Sequence, residues 1–328
     1  MLETGPVRWG IMGTAAVARR SFVPAVRQAG GIVVAVASRQ MSRASKYAAE
    51  LGIEYAVQGY HRLIEDPIVD ALYIPLPNAL HAEWTIRGLV AGKPVLCEKP
   101  LCVSLPETEQ VLAVARKTGT LLWEAFVFPF SAQMAQVRAL MDDGAIGELR
   151  EIQSSFHISL TSHADIRMQP GLAGGALRDV GSYPVRLAGE LLASNHDSAW
   201  ATAEWDGDGV DVETQGSLGY PDGERLLLSC GFRRGRDRFT RLLGTAGQIH
   251  VTNMFHPGPD EVVEVRSVGK GPANYRAGGS ELPFTAAIRH IHAVLRGEVP
   301  PLFLAVETSL RTARALNDLR AQLPVRCG

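Results

Sequence analysis

The amino-acid sequence predicts an α/β protein of two domains, and three observations lead to this fold class. The chain has 328 residues, 46% of them hydrophobic, which is enough for two domains that each bury a core. In residues 1–125, short apolar runs alternate with helical segments, as is typical of a doubly wound parallel sheet. In residues 126–328, strand-like runs follow one another, which indicates a second α/β domain with a mostly antiparallel sheet.

The elements of the first domain are predicted in alternating order. Strands are expected at 7–12, 32–37, 71–74, 95–100 and 121–125, and helices from the residue 13–18 turn to about 29 and at 41–51, 60–65, 78–91 and 105–118. The second domain is predicted to hold helices at 131–142, 284–296 and 305–321, and strands at 151–158, 199–204, 213–220, 225–232, 241–244, 248–252 and 261–265. We also expect the last helix to pack back on the first domain.

The turn after the first strand has the pattern of a dinucleotide site. Gly13 supplies the tight turn, Ala15 leaves the backbone open to a pyrophosphate, and Ala18 lets helix and strand pack closely. We assign cofactor contacts to the turn as a whole, which consists of Gly13, Thr14, Ala15, Ala16 and Val17. Because Ala15 stands where glycine is common, an ordinary βα turn remains the alternative.

The residues that end the second strand favour NADP(H) over NAD(H). An acidic residue at this point would bind the ribose hydroxyls of NAD, but the chain has Ser38 and Arg39, with Ser42 and Arg43 close behind. Guanidinium groups bind a phosphate bidentately, so Ser38, Arg39 and Arg43 are predicted to bind the 2′-phosphate. The alternative is a solvated start of a helix.

Polar residues at the ends of two further strands complete the predicted cofactor site. Ligands of an open parallel sheet bind outside the carboxyl ends of its strands. Leu76, Asn78 and His81 follow one strand, with Asn78 as the expected helix cap, and Glu98 and Lys99 follow the next. His81 could equally be a surface residue, and Lys99 a strand-end charge that reaches solvent.

The amino-acid composition argues against several classes of binding partner. The formal net charge is -1, so nothing indicates binding to nucleic acid or to an anionic membrane. No apolar run reaches the length of a membrane span, and no secretory signal begins the chain. Cys97, Cys102, Cys230 and Cys327 show neither metal-site nor disulfide spacing, so we expect a reduced, cytoplasmic protein and predict no metal site.

One helix of the second domain is a candidate for catalysis. A pair of glycines precedes it, and Asp179 and Tyr183 are spaced i, i+4, which places them on one helix face. The alternative is an amphipathic helix whose tyrosine packs in the core.

Six segments together resemble the glucose–fructose oxidoreductase, inositol dehydrogenase and MocA (Gfo/Idh/MocA) family. They are GIMGTAAVA (10–18), PLPNALH (75–81), EKPL (98–101), DGAIGELR (143–150), GGALRDVGSYP (174–184) and GTAGQIHV (244–251). The resemblance implies a Rossmann domain, a second domain with a large open sheet, and a nicotinamide cofactor. It also implies that Lys99 is the lysine of the EKP motif and Tyr183 the catalytic acid/base.

Within this family, the Ala15 turn, the Asp165-Ile166-Arg167 segment and DVGSYP are most similar to NADPH-dependent 3-ketoreductases of nucleotide-linked deoxysugars. The resemblance implies hydride transfer to a ketone, with Tyr183 as proton donor. Asp179 is then expected to orient a substrate hydroxyl or Lys99, and Arg167 to bind a phosphate of cofactor or substrate.

Two alternatives remain. The Trp123-Glu124-Ala125-Phe126 segment is more similar to the NADP-dependent xylose and dihydrodiol dehydrogenases, which oxidise a free sugar or diol. A non-catalytic sensor of NADP(H) would keep the same fold. Because one face of the second sheet would be exposed, a homodimer or homotetramer is expected.

Overall fold

A computed structural model describes residues 5–160, 162–279, 281–304 and 306–323. The chain forms two compact units. The first contains the residues up to Cys102, Pro106–Val127 and Phe284–Glu307, and the second contains Val103–Leu105, Phe128–Pro283 and the residues from Thr308 on.

The first unit alternates strands and helices. They are β1 (Arg8–Met12), a π-helical segment (Ala18–Phe22), α1 (Val23–Gln28), β2 (Ile32–Ser38), α2 (Met41–Leu51), β3 (Tyr55–Gln58), α3 (Tyr60–Glu65), β4 (Ala71–Ile74), a 3₁₀ turn (Asn78–Leu80), α4 (His81–Val90), β5 (Val95–Cys97), α5 (Leu105–Thr118) and β6 (Leu122–Glu124). Within the described residues, six strands form one parallel sheet in the order β3-β2-β1-β4-β5-β6. This is the Rossmann order, which confirms the predicted doubly wound sheet.

Strand β3 was not expected from the sequence. It is four residues long and pairs in parallel with the end of β2, from Ala35 to Ser38. None of the residues of β3 is fully buried. The strand therefore has no need of alternating apolar residues, and without that alternation its sequence does not predict a strand. β3 completes the sheet edge beside the end of β2.

Aromatic side chains build the core on one face of this sheet. The Phe22 ring stacks on Tyr73 with centroids 3.9 Å apart, and Trp9 meets Phe22 edge-on at 5.2 Å. All three side chains are essentially inaccessible to solvent. Such aromatic pairs stabilise the fold beyond the area that they bury.

A late helix, α8 (Pro283–Leu295), packs into the same core. Ile288 and Ile291 are buried there with Trp9, and Thr285 donates a hydrogen bond to Gln28 Oε1 at 2.8 Å. The sequence did not predict that this helix belongs to the first unit, and the packing of the last helix on that unit stays a prediction. The last helix, α9 (Glu307–Ala321), bonds within the second unit, where Ser309 accepts from Arg186 at 3.1 Å.

His292 of α8 is held neutral in the core, and this makes the stability of the fold depend on pH. Trp9 Nε1 donates to His292 Nε2 at 2.9 Å, so that nitrogen carries no proton. Burial lowers the pKa of His292 to about 4, from an ordinary value of 6.5. The unfolded chain therefore binds the proton more readily, and stability that is complete above pH 6.5 is lost as the pH falls toward 4.

We expect the free energy of unfolding to fall by about 3 kcal/mol through this histidine between pH 7.5 and pH 4. His292→Gln keeps an acceptor for Trp9 but does not titrate, so its pH dependence should be smaller by that amount. Urea unfolding at a series of pH values measures the difference. The exposed His61→Gln is the control, and the same pH dependence in His292→Gln as in the unmodified chain would contradict the assignment.

The second unit is built on a larger sheet. Its elements are a 3₁₀ turn (Phe128–Phe130), α6 (Ala132–Asp142), β7 (Leu149–Ser159), two 3₁₀ turns (Ile166–Met168 and Pro170–Leu172), a π-helical turn (Leu177–Gly181), α7 (Ser182–Leu191), β8 (Ser198–Trp205), β9 (Asp211–Gly219), β10 (Arg225–Gly231), β11 (Arg233–Asp237), β12 (Thr240–Gly244), β13 (Gly247–Val251), β14 (Val262–Ser267) and β15 (Ala273–Arg276), followed by α9. In the described part of the chain these strands form one nine-stranded sheet in the order β15-β14-β13-β12-β7-β10-β9-β8, with β11 paired to β7. Only the β7–β10 pair is parallel, so the predicted mostly antiparallel sheet is confirmed.

The two faces of this sheet differ in exposure. On β10, Leu226 and Leu228 are buried on one face, whereas Leu227 between them is 40% exposed on the other. Strand pairing aligns Leu227 with Ser217 of β9, and Ser217 with Trp200 of β8, which is 54% exposed. Large apolar side chains thus lie on the open face.

The described cysteines, Cys97, Cys102 and Cys230, are free and buried. Burial raises the pKa of the Cys97 and Cys230 thiols well above their ordinary value. These two are therefore unreactive thiols packed as small apolar groups. Cys327 lies outside the described residues. None of the helices in the described ranges has the length and apolar content needed to span a bilayer.

Candidate active site

The turn after β1 has the backbone geometry of a phosphate-binding loop. Gly13 has φ +93°, a conformation that side-chain-bearing residues rarely adopt, and a Cβ atom there would lie 3.0 Å from the Leu76 side chain. Its amide donates to the Ala37 carbonyl at 2.7 Å, which fixes the turn against β2. A helical segment begins at Ala16, so the amides of residues 14–17 lie at a helix start, where anions are favoured.

Two arginines follow the end of β2 in the chain. Ser38 is buried, and Arg39 follows it on the surface. Burial raises the pKa of Tyr60, while the charges of Arg39 and Arg43 act in the opposite direction. Both arginines thus contribute positive charge around the start of α3, and their binding to a 2′-phosphate stays a prediction.

The turn that carries Lys99 is fixed by its neighbours. Glu98 Oε1 accepts from the Tyr73 hydroxyl at 2.7 Å, and the Leu101 amide donates to Glu124 Oε1 at 2.8 Å. The peptide bond between Lys99 and Pro100 is cis. Lys99 is half-buried at the carboxyl end of β5 and is thus held on a rigid support.

His81 has a structural position that the sequence did not indicate. It is fully buried, with Nδ1 2.8 Å from the Pro100 carbonyl oxygen and Nε2 2.7 Å from that of Leu76. Burial lowers its pKa, and the charge of Lys99 acts in the same direction. Each ring nitrogen thus faces a carbonyl oxygen, and the neutral ring, which has one N–H, donates to one of the two. His81 lies between the turns after β4 and β5, and its assignment as a direct cofactor contact remains a prediction without support from this geometry.

The structure also changes the role expected for Asn78 as a helix cap. Asn78 is the first residue of a 3₁₀ turn whose capping position is Pro77, and α4 begins only at His81. The proline before Asn78 favours the extended backbone needed to enter a helical turn. Asn78 and Leu76 still lie at the carboxyl end of β4.

In the second unit, Asp179 lies in the π-helical turn that precedes α7. The prediction of one continuous α-helix was wrong here, because Leu177–Gly181 forms a π turn and the i, i+4 spacing of Asp179 and Tyr183 spans its junction with α7. Asp211 holds this turn by accepting from the Leu177 amide at 2.7 Å. A Cβ on Gly175 would overlap the same carboxylate, so the glycine is required for this approach.

Arg167 and Asp179 bind each other. Arg167 Nε donates to Asp179 Oδ2 at 2.8 Å, and its Nη1 contacts both carboxylate oxygens of Asp165 at 3.1 Å. The charge of Asp179 raises the pKa of Arg167 above its ordinary value. Two carboxylates thus compensate the charge of Arg167, so in this structure it positions Asp179 and the loop after β7.

Tyr183 lies in an aromatic pocket. Its ring centroid is 4.9 Å from Phe156, 5.2 Å from Phe255 and 5.4 Å from His256. The residue is 8% exposed. The surrounding rings hold the Tyr183 ring in one place and shield most of the residue from solvent, which suits a group that transfers a proton.

Sequence reasoning missed a cation beside this tyrosine. Arg238 stacks over the Phe156 ring at 4.7 Å. Burial and the neighbouring Arg236 lower the pKa of its guanidinium, whereas the Tyr183 phenol acts in the opposite direction. Its Nε is buried and has no hydrogen-bond partner among the described residues. No motif marks Arg238, because it lies in an irregular segment between β11 and β12.

The residues present fit a bound NADP(H). Because Gly13 has no Cβ, a pyrophosphate can approach the backbone there, and the positive charges of Arg39 and Arg43 after β2 suit a 2′-phosphate. Lys99 belongs to the first unit, and Asp179 and Tyr183 to the second. The meeting of Lys99 with Tyr183 stays a prediction.

The fold and these residues define a two-unit oxidoreductase with a Rossmann cofactor domain. Residues 7–126 match the model of an oxidoreductase family with an NAD-binding Rossmann fold, Gfo/Idh/MocA, and residues 134–250 match the C-terminal domain of the same family. The chain belongs to the Gfo/Idh/MocA family.

Several relatives are similar over most of their length. A dTDP-3,4-didehydro-2,6-dideoxy-α-D-glucose 3-reductase from Actinomadura kijaniata is 36% identical, with 97% of this chain and 96% of the relative covered. A D-xylose 1-dehydrogenase (NADP⁺) from Haloferax volcanii is 36% identical over 78% of this chain and 79% of its own. A crystal structure of a 3-ketoreductase from A. kijaniata with NADP and TDP-benzene has a TM-score of 0.89 and 36% identity, covering 97% of this chain and 98% of that one.

Proposed function

We propose that this chain is an NADPH-dependent ketoreductase that reduces the 3-keto group of a nucleotide-linked deoxysugar. The observation that carries the proposal is the similarity to a dTDP-sugar 3-reductase over 97% of the chain. That similarity extends through both units, so it includes the substrate-binding half as well as the cofactor fold.

In this proposal each unit of the chain contributes binding groups. The turn at residues 13–17 would hold the pyrophosphate, and Ser38, Arg39 and Arg43 the 2′-phosphate of the cofactor. Arg238 and the exposed Arg236 add positive charge near Tyr183, which suits an anionic nucleotide diphosphate.

The reduction needs a proton donor and a group that stabilises negative charge. When bound, NADPH supplies the hydride to the carbonyl carbon. The phenol of Tyr183 donates its proton to the developing alkoxide. The ammonium of Lys99 stabilises the charge on that oxygen until the proton arrives.

The substrate class is tested by comparing rates on a panel of compounds. The purified protein is incubated with NADPH and a dTDP-linked 3-keto-2,6-dideoxysugar, and separately with NADP⁺ and D-xylose or a trans-dihydrodiol, and NADPH absorbance is followed. We expect kcat/KM for the ketosugar to exceed that for either alcohol by about 10³-fold, since a substrate that lacks the nucleotide loses most of its binding energy. A faster oxidation of D-xylose would contradict the proposal.

A sugar dehydrogenase is the second candidate function. It is favoured by the 36% identity to the NADP⁺-dependent D-xylose dehydrogenase and by the Trp123-Glu124-Ala125-Phe126 segment. In the structure Glu124 is used internally, as acceptor for the Leu101 amide. That contact does not involve a substrate, so the segment does not distinguish a ketoreductase from a sugar dehydrogenase. The comparison of kcat/KM values described above distinguishes them.

The choice of cofactor gives a separate prediction. Arg39→Ala should weaken NADPH binding tenfold to a hundredfold, roughly 1.5–3 kcal/mol, because a charge-assisted contact to the 2′-phosphate is lost. Binding of NADH, which has no such phosphate, should hardly change. Fluorescence titration measures both dissociation constants. The exposed Arg20→Ala is the control, and equal NADPH and NADH affinities in the unmodified chain would contradict the prediction.

We also propose that two copies of the chain associate through the open face of the nine-stranded sheet. The exposed Trp200 and Leu227 on that face support this, because large apolar side chains in one row are normally covered by association. Light scattering should give the mass of a dimer or tetramer at micromolar concentration. Trp200→Glu should shift the protein toward the monomer, whereas a monomeric unmodified chain would contradict the proposal.

We place the enzyme in the cytoplasm. Cys97, Cys102 and Cys230 are free and buried, which suits a reducing compartment. Fractionation of cells that express the natural gene tests this location, and recovery from a secreted fraction would contradict it.

A further inference from the structure

The hairpin between β8 and β9 holds a buried carboxylate with one unused oxygen. Asp206 is 5% exposed, and its Oδ1 accepts from the amides of Asp208 at 3.1 Å and Val210 at 2.8 Å. These two hydrogen bonds hold the backbone of the turn in its conformation. Asp206 Oδ2 is also buried, but it has no hydrogen-bond partner among the residues that the structure describes.

An unpartnered carboxylate oxygen is costly in the interior of a protein. A buried acceptor that loses water without gaining a donor destabilises the fold, and an ionised group does so more strongly. Such a group indicates a missing cation or donor. The turn offers none among the described contacts, because the Asp208 and Val210 amides donate to Oδ1 and the Gly209 amide donates to the Asp206 carbonyl oxygen.

Two further ligand groups converge on this carboxylate. His163, in the loop after β7, and Asp208, two residues beyond Asp206, each offer one ligand atom. These atoms and one carboxylate oxygen of Asp206 all lie within 4.8 Å of one another. His163 and Asp208 are exposed, so water can complete a coordination shell and both side chains can move toward Asp206 when an ion binds.

We propose that Asp206, Asp208 and His163 bind a divalent transition-metal ion of the Zn²⁺ type. Imidazole nitrogen together with carboxylate oxygen favours Zn²⁺ and its neighbours over Ca²⁺ or Mg²⁺, which prefer oxygen ligands alone. Tetrahedral coordination with metal–ligand distances of about 2.0–2.2 Å places ligand atoms about 3.3–3.6 Å apart, so the exposed His163 and Asp208 side chains close on Asp206 as the ion binds. No sequence motif marks the site, because His163 and the aspartates lie far apart in the chain.

The ion would tie the β8–β9 hairpin to the loop after β7. His163 stands two residues before Asp165, whose carboxylate binds the Arg167 guanidinium. The Arg167 side chain in turn binds Asp179. The metal is therefore a structural clamp on the loop that positions Asp179, and it takes no part in hydride transfer.

Calorimetry with ZnCl₂ alone tests the site independently of enzyme activity. The full chain, dialysed against a chelator and then against buffer, should bind one Zn²⁺ per chain. Asp206→Asn, which keeps an oxygen for the two amides, and His163→Ala, on an exposed loop, should each weaken that binding tenfold or more, since even indirect partners of metal ligands contribute about 10–100-fold. His61→Ala and Asp222→Asn remove an exposed histidine and an exposed aspartate elsewhere, and they should leave it unchanged.

A second measurement separates a specific site from loose surface binding. Saturating Zn²⁺ should raise the melting temperature of the unmodified chain and of the His61→Ala control, but not of His163→Ala. CaCl₂ should bind at least about tenfold more weakly. Absence of Zn²⁺ binding, binding that survives both site variants, or equal affinity for Ca²⁺ would overturn the proposal.

Discussion

Replacing Tyr183 with phenylalanine is expected to reduce kcat by 10²–10⁴-fold, roughly 3–5 kcal/mol of barrier, which is the usual loss when a general acid is removed. The substitution deletes only the hydroxyl, so the ring contacts to Phe156 and Phe255 remain. NADPH affinity should stay nearly constant, because the phenol is needed where charge develops in the transition state. Single-turnover rates of NADPH oxidation with the ketosugar measure the effect.

Tyr220 is a matched control for this experiment. It belongs to the same unit, is 8% exposed like Tyr183, and has a pKa raised to about 12 by burial. Tyr220→Phe should therefore keep full turnover. If Tyr183→Phe also keeps nearly full turnover while hydride transfer limits the rate, another group donates the proton and the assignment is wrong.

Replacing Lys99 with alanine should lower kcat by roughly 10²–10³-fold, since a charged donor to the developing alkoxide is lost. The same change should raise KM about tenfold, because Lys99 also binds the sugar in the ground state. Lys99→Arg, which keeps the charge but changes its geometry, should recover substrate binding more than rate. Steady-state kinetics with varied ketosugar separate the two effects.

The control for Lys99 is Lys117→Ala, on the exposed side of α5. It removes a lysine from the same unit and should leave both constants unchanged. An unaltered kcat in Lys99→Ala would show that Lys99 does not act on the reacting oxygen, whatever its effect on KM.

Much of the fold could be predicted, because apolar residues that recur with the period of a helix or a strand determine where most helices and strands form. Helix α2 and strand β4 begin and end where apolar spacing and turn residues place them. The elements that were missed lack such a pattern. Strand β11 has five exposed residues, pairs with β7 and binds Glu213 of β9 through its arginines, so its charged sequence gives no strand signal. β15, at the far edge of the sheet, is also largely exposed.

The candidate site was predictable where backbone geometry depends on residue type. Gly13 had to be glycine for its positive φ, and the position of Lys99 follows from the end of a buried strand. The contacts that the His81 and Arg238 side chains make could not be predicted, because they join segments that lie far apart in the sequence. The His81 ring lies between two carbonyl oxygens, and Arg238 lies near Tyr183 in a segment without any motif.

The assignment of α8 to the first unit has a consequence for how this gene can recombine. The cofactor unit is encoded by separate stretches, and the last of them, Phe284–Glu307, comes after nearly all of the sequence of the other unit. A single crossover between two related genes therefore yields a hybrid whose parallel sheet and α8 descend from different parents. Since Ile288 and Ile291 are buried with Trp9, and each such side chain contributes about 1.5–3 kcal/mol, the hybrid folds only where both parents agree at these contacts. Exchange of the cofactor unit between such genes thus requires crossovers near residues 127, 283 and 307, because the chain returns to the second unit at Thr308.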